Sequence, residues 1–492
     1  MSIPTPSLGE MNLDDFRHYG HRLIDWIADY LEHPEHYPVL SPSQPGEIKV
    51  QLPATPPKQP EAVYQILTDF EKIIMPGITH WNHPGFFAYF GITGSGPGIL
   101  GELLTAALNV NAMLWRTSPA ATELEEVTLD WLRQMLGLPA TFDGVIMDTA
   151  SVSSMLAIAT AREAVEGLAV RVKGLAGRTD IPRLRLYISD QTHSSVEKGA
   201  IILGIGQENV VKIPSDDHFR LKPDELEKAI KADLAVGYHP LFVCATVGTT
   251  STTSIDPIPA IADIAQRYRL WLHIDGAYGG MAAIMPEMRY VLAGAEQADS
   301  LVVNPHKWLF TPIDLSAFYT RHPDILKQAF SLVPEYLRSA ETDAKTVKDY
   351  MDYGVQLGRR FRALKLWLVI RTFGSEGLAA RLREHIRLGQ QFAAWVDDSP
   401  NFERMAPTPF STVCFRAHPS HLNSETKLNQ LNEALLNAVN ATGEIFISHT
   451  KLHERYTLRL AIGNVRSDEI QVRRAWELLQ EQLALLTERP QI

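Results

Sequence analysis

Lys307 closes the segment Ser300-Leu301-Val302-Val303-Asn304-Pro305-His306-Lys307-Trp308, where a short apolar run ends in Asn-Pro-His and delivers an amine at a turn. Pro305 has no N–H to give to a sheet ladder, so the run predicts a strand that stops there with the lysine projecting from its end. An amine held among apolar and aromatic neighbours sheds its proton at modest pH and adds to a carbonyl carbon. The chemistry offered is Schiff-base formation. Taken singly, Lys307 also reads as a solvated lysine beyond a strand, so its assignment rests on what else reaches the same place.

Four more apolar runs end in residues that could share its pocket. Trp271-Leu272-His273-Ile274-Asp275-Gly276-Ala277 ends in a carboxylate followed by small residues. Pyridoxal 5'-phosphate (PLP) needs such a carboxylate to keep its ring nitrogen protonated, and Ala277 lets a flat ring approach the backbone. By itself Asp275 reads equally as a turn or cap aspartate. Leu186 to Asp190 leads to His193, whose ring could stack on the opposite face of such a cofactor. The run from Leu241 through Thr246 to Gly248 ends in hydroxyls. Gly144 to Met147 leads through Asp148-Thr149-Ala150-Ser151 into an alanine-rich helical pattern. A helix start offers unpaired N–H groups and a positive dipole end to a phosphate, although Ser151 alone is also an ordinary cap.

Strand ends that converge on one ligand require a parallel sheet, whose ligands bind outside the carboxyl ends of its strands. From about Pro84 onward, helical patterns alternate with strand ends, as in a doubly wound or related α/β fold. Three regions follow: residues 1–83, an N-terminal helical arm; residues 84–374, a large α/β domain; and residues 375–492, a small α+β domain. In the arm, Phe16, Leu23, Ile27 and Tyr30 recur at helical spacing, and a proline-rich stretch from Pro34 to Pro60 follows. At 492 residues the chain can bury a large core. Its net charge of -11 argues against a nucleic-acid partner, which needs concentrated Lys and Arg. Only Cys244 and Cys414 occur, both in strand-like runs, so reduced core thiols are expected. Met1 to Glu10 lacks a secretory pattern and no apolar run is long enough for a bilayer, which together predict a cytoplasmic protein without a membrane partner.

In order along the chain, several blocks resemble the group II PLP-dependent decarboxylases, and within them the aromatic-L-amino-acid decarboxylases. They are Ile73 to Trp81, Phe86 to Phe90, Ser118 to Glu125, Asn304 to Trp308, Leu357 to Lys365 and Leu458 to Asn464. The resemblance implies a fold type I PLP-dependent transferase, a homodimer whose arm packs on the partner subunit, and a small-molecule amino-acid substrate. It makes Lys307 the Schiff-base lysine, Asp275 the partner of the pyridine nitrogen and Ala277 the residue under the ring. His193 is similar to the stacking histidine, positioned by a hydroxyl matching Thr246. Ala150, Ser151, Asn304 and His306 match the phosphate and lysine-turn positions. Trp81, Tyr89 and Phe90 match residues lining the substrate side.

Tyr350 lies in Ala340 to Gln356, a segment of mixed polarity and little periodicity of the kind that forms lids. By resemblance it is the residue that reprotonates the substrate's α-carbon, with help from His193, and its presence favours an amine over an aldehyde; Tyr353 stands close by. The chain departs from the animal enzymes at Gly91-Ile92-Thr93-Gly94, where they carry Pro-Thr, and at Asn111 and Met113, where they carry an aliphatic residue and a phenylalanine from the partner subunit. Gly91 either reshapes the substrate pocket or satisfies loop geometry. The expected activity is decarboxylation of tyrosine, dopa, phenylalanine or tryptophan to the amine. The alternatives are an aldehyde-forming enzyme, a decarboxylase of a non-aromatic amino acid, and an inactive dimeric binding protein. The histidines of Glu32-His33-Pro34-Glu35-His36 and of Gln191 to Ser195 lack the sequence spacing of a metal site.

Overall fold

The structure, a computed structural model, describes residues 10–332 and 347–488. The segment read for a secretory pattern, save Glu10, and residues 340–346 of the expected lid lie outside the described residues.

Seven strands form the main sheet: β1 Asp143–Met147, β2 Leu184–Ser189, β3 Val210–Ile213, β4 His239–Thr246, β5 Trp271–Asp275, β6 Ser300–Val303 and β7 Ser316–Thr320. Their order is β1-β7-β6-β5-β4-β2-β3, and only the two pairs made by β7 are antiparallel. The architecture is the α/β, mostly parallel sheet that the strand ends predict. β5 and β6 are buried along their whole length, which suits strands covered on both faces. Successive residues feed opposite sides. Leu272, Ile274, Leu301 and Val303 join one apolar cluster, whereas Phe242, Cys244 and Trp271 join another. Because β2, β4, β5 and β6 run the same way, His193, Thr246, Asp275 and Lys307 all follow carboxyl ends at one edge of the sheet. Thr246 stands opposite Asp275 in register, and Asp275 opposite Val302.

A second, antiparallel sheet has the order β10-β11-β9-β8, from β8 Phe402–Arg404, β9 Thr412–Ala417, β10 Ser448–Leu452 and β11 Arg455–Ala461. Its core includes Phe392, Phe415, Leu458 and Trp476. Phe87, from far upstream, belongs to it too: its N–H donates to the Phe446 carbonyl at 2.8 Å and its carbonyl accepts from Ala461 N–H at 2.9 Å. The helix Ala363–Asp398 joins the two layers and breaks helical geometry at Gly374, whose φ of 66° a side chain disfavours. Helix α1 of the arm (Leu13–Glu32) has no buried residue, and beyond the arm helix α2 (Gly96–Leu108) exposes Leu100, Leu103, Leu104 and Leu108.

Candidate active site

Lys307 sits in a one-turn helix, Pro305–Trp308, directly after β6, with its N–H donating to the Asn304 carbonyl at 2.9 Å. Trp308 fixes this turn: it is fully buried, stacks on Tyr278 at 4.6 Å, and donates from Nε1 to His385 Nδ1 at 3.0 Å. The Lys307 Nζ lies 5.3 Å from the centre of the Phe90 ring. Burial pushes its pKa down, Asp275 opposes that and Arg459 adds to it, so the amine is freed of its proton more readily than an ordinary lysine. Asp275 is 5% exposed, and its Oδ1 accepts from Ala277 N–H at 3.0 Å, which aims the carboxylate from the strand end.

His193 follows β2 and caps the helix Ser194–Ile202. Its Nδ1 is 2.9 Å from Ser195 Oγ, a hydroxyl that the sequence reading did not single out. The reach is short, across two residues of one turn. Burial lowers the His193 pKa, with Asp275 and Lys307 both close enough to act on it. His306 accepts from Leu315 N–H at Nδ1, 2.9 Å away, and is pushed down to about 3 by burial and Lys307, which leaves a neutral ring with its proton on Nε2.

Thr246 Oγ1 and Asn304 Oδ1 are buried here without a partner. Unpaired buried groups of this kind are costly unless a ligand satisfies them. The main chain behind Thr246 is firmly held, since its N–H donates to Asp256 Oδ2 at 2.8 Å. Asp256, absent from the sequence reading, is fully enclosed and pushed up to about 7 by burial. After β1, the helix Ala150–Glu163 starts without a side-chain cap, so the first amides, on Ala150 and Ser151, are open donors. A carboxylate for a ring nitrogen, a buried lysine amine for an aldehyde, a flat histidine, orphaned hydroxyl and amide groups, and a free helix start make a donor set that fits PLP.

Arg459, on β11, is the residue that sequence reasoning missed. It is 4% exposed, its guanidinium lies 4.5 Å from the centre of the Phe90 ring, and it acts electrostatically on Lys307. Nε donates to the Ser251 carbonyl at 2.9 Å and Nη1 to the Tyr89 carbonyl, whereas the buried Nη2 has no partner. The available signal was an arginine inside the otherwise apolar run Leu458 to Ile462. Phe90 is thus a platform: Tyr278 stacks on it at 4.0 Å, and the Lys307 amine and Arg459 guanidinium both lie against it. Trp81 and Tyr89 stack at 5.8 Å and stay partly exposed beside it. Gly91 answers to loop geometry, because a Cβ there would stand 2.9 Å from the Gly463 carbonyl carbon.

Tyr350 is in a different neighbourhood. It is 1% exposed, packs under the Arg359 guanidinium at 4.6 Å, and leaves its hydroxyl buried without a partner. Arg359 is held there by Glu125 at 2.7 Å and by the Ile146 carbonyl at 2.8 Å. The same segment is stitched to Asn111 and Met113: Met351 N–H donates to the Met113 carbonyl at 3.1 Å and Arg359 N–H to Asn111 Oδ1 at 2.9 Å. Within one chain, Tyr350, Asn111 and Met113 form one unit, joined through Arg359 and Met351.

The model of the pyridoxal-dependent decarboxylase conserved domain matches residues 45–418. A phenylacetaldehyde synthase of Arabidopsis thaliana is 42% identical over 487 residues, 97% of this chain and 98% of that protein. Tyrosine decarboxylase 2 of the same plant is also 42% identical, over 97% of this chain and 88% of its own. A crystal structure of Oryza sativa TDC with PLP and tryptamine superposes with a TM-score of 0.93 at 37% identity, covering 98% of this chain and 100% of that one.

Proposed function

Because the chain belongs to the pyridoxal-dependent decarboxylases, with PLP as cofactor and a fold type I architecture, we propose that it converts an aromatic L-amino acid to its amine and carbon dioxide. The observation that carries this reading is Arg459: a buried guanidinium with a free Nη2, beside the Lys307 amine, is a seat for a substrate carboxylate. Lys307, Asp275, His193, Ala277, Thr246, Asn304, His306, Ala150 and Ser151 are the residues that would hold the cofactor. When bound, PLP supplies an electron sink for the pair released at the α-carbon. Arg459 fixes the direction of the carboxylate, and with it which bond at that carbon breaks. Phe90, Tyr278 and Trp308 wall the amine and the guanidinium from water, which strengthens every charge contact inside. Trp81 and Tyr89 offer the substrate ring a stacking surface, which favours an aromatic side chain.

Tyr350 delivers the proton to the α-carbon, and for that its unpaired hydroxyl must meet a substrate. The packing of Tyr350 under Arg359, in a unit with Asn111 and Met113, supports a homodimer in which that unit serves the other subunit. The bare apolar faces of α1 and α2 support the same assembly. A second reading, aldehyde formation, is favoured by the similarity to phenylacetaldehyde synthase. Product mass separates the two, after incubating the PLP-loaded protein with aromatic, acidic, basic and aliphatic L-amino acids. An aromatic amine supports the first reading, and an aldehyde removes Tyr350 from the proton step. No product from any aromatic substrate would overturn both.

A further inference from the structure

The sequence spacing of His33, Glu35 and His36 does not suggest a metal site, but the backbone brings them together. His33 ends α1, with its N–H donating to the Asp29 carbonyl at 2.9 Å, and Pro34 starts a single 3-10 turn, Pro34–His36. Two further main-chain bonds lock that turn, His36 N–H to the His33 carbonyl at 3.2 Å and Tyr37 N–H to the Pro34 carbonyl at 3.1 Å. The turn lays the two imidazoles against each other, with ring centres 5.2 Å apart and planes 22° apart, and sets Glu35 Oε1 3.2 Å from His33 Nδ1. One donor atom from each of the three lies within 4.8 Å of the others. Ligand bonds of about 2.1 Å in a tetrahedral site put donors about 3.4 Å apart, so one pair already has that separation and a side-chain rotation brings in the third.

The geometry points to a surface site for a borderline divalent transition-metal ion of the Zn2+ class, held by His33, Glu35 and His36 with water completing its shell. Two imidazoles and one carboxylate suit Zn2+, Ni2+ or Cu2+ and disfavour the hard ions Mg2+ and Ca2+, which need mostly oxygen. No atom of the PLP site takes part, so the site is independent of the catalytic reading. Its position gives occupancy a structural consequence. Three residues on, Val39 is buried and clamped on both sides: its N–H donates to the Gly443 carbonyl and its carbonyl accepts from His80 N–H, each at 2.8 Å. His80 precedes Trp81 on the substrate side. A metal ion would staple the end of α1 to the strap that carries this clamp.

Equilibrium dialysis of the PLP-loaded enzyme against Zn2+, with metal counted per chain, tests the site. The wild type should take up one more ion per chain than the double variant His33→Gln/His36→Gln, and a large excess of Mg2+ or Ca2+ should not displace it. Glu35→Gln, a milder change on an exposed side chain, should weaken that uptake at least about tenfold, the lower end of what losing even a ligand's supporting partner costs. Zn2+ should also slow proteolysis of the arm in the wild type and not in the double variant. Equal uptake by all three proteins, each retaining its cofactor absorbance, would overturn the assignment, as would displacement by Mg2+ or Ca2+.

Discussion

Arg459→Met separates catalysis from stability more sharply than any other single change. The guanidinium is buried and spends Nε and Nη1 on the Ser251 and Tyr89 carbonyls, which leaves Nη2 for the substrate. Removing one partner of a buried, hydrogen-bonded charge pair costs about 2–5 kcal/mol, or roughly 30-fold to several thousand-fold in kcat/KM. The free protein, in contrast, gains and loses by similar amounts. Methionine relieves a buried cation whose pKa burial already pushes down, while two carbonyls lose their donors at about 1–3 kcal/mol each. The melting temperature should therefore move by only a few degrees. Competition with the amine product provides the control, because the amine has no carboxylate. Its inhibition constant should hold within about threefold while substrate binding weakens by at least the lower of the factors above. Arg459→Lys, which keeps the charge but not the fork, should recover only part of the loss. A kcat/KM within threefold of wild type, or equal weakening of substrate and product, would refute the role of Arg459 as carboxylate seat.

Lys307→Ala should abolish turnover and the visible absorbance of lysine-bound cofactor; retention of full activity would remove Lys307 from the reaction. Tyr350→Phe should cut amine formation by about a hundredfold, the scale of a lost general acid, with aldehyde appearing by mass spectrometry. Its fold should survive, since the lost hydroxyl has no partner, and unchanged amine output would assign the proton to another group. Asp256 is raised from 3.8 to about 7 in the folded state, so its contribution to stability is complete at low pH and is lost as pH rises through 7. That loss amounts to about 4 kcal/mol at 1.36 kcal/mol per unit, and Asp256→Asn should flatten the fall in denaturation midpoint between pH 4 and 7; equal slopes would refute it. Gly91→Ala should destabilise by about 1–3 kcal/mol in thermal melts, because its Cβ meets the Gly463 main chain; an unaltered melt would show that the loop yields freely.

What could be read from the sequence follows from how parallel sheets work. β5 and β6 are buried on both faces, so their sequences are nearly continuous apolar runs, and the polar residues that interrupt them, Asp275 and Asn304 to Lys307, stand out as strand ends. The two edge strands of the small sheet left no such trace. β8 is three residues long, and β10, Ser448–Leu452, is mostly polar, half in solvent and half against β11. The hydrogen bond from Ser195 to His193 was not legible, because hydroxyls stand both at Thr246 and at Ser195 and only the turn geometry brings the nearer one to Nδ1. Tyr350 was equally hard to place. Its burial depends on Arg359, whose anchors Glu125 and Ile146 lie more than 200 residues upstream. An aperiodic polar segment carries no record of contacts that distant.

Arg459 shows why a motif search finds the lysine before it finds the whole site. Lys307 belongs to the large sheet and Arg459 to the small one, and the seam between the layers is built from buried polar links rather than loose packing. Trp308, next to the lysine, donates to His385; His385 Nε2 pairs with the Asn464 carbonyl at 3.0 Å; and Asn464 Nδ2 donates to the His83 carbonyl at 2.8 Å. Burial holds His385 down to about 4, so it stays neutral and can donate on one side while it accepts on the other at any pH near 7. Gly91 and Gly463 close the same seam, one main chain against another. The distance between the amine and the guanidinium is therefore set by how the two layers dock. Breaking that seam alters the reactive geometry even where every residue that touches the substrate is kept.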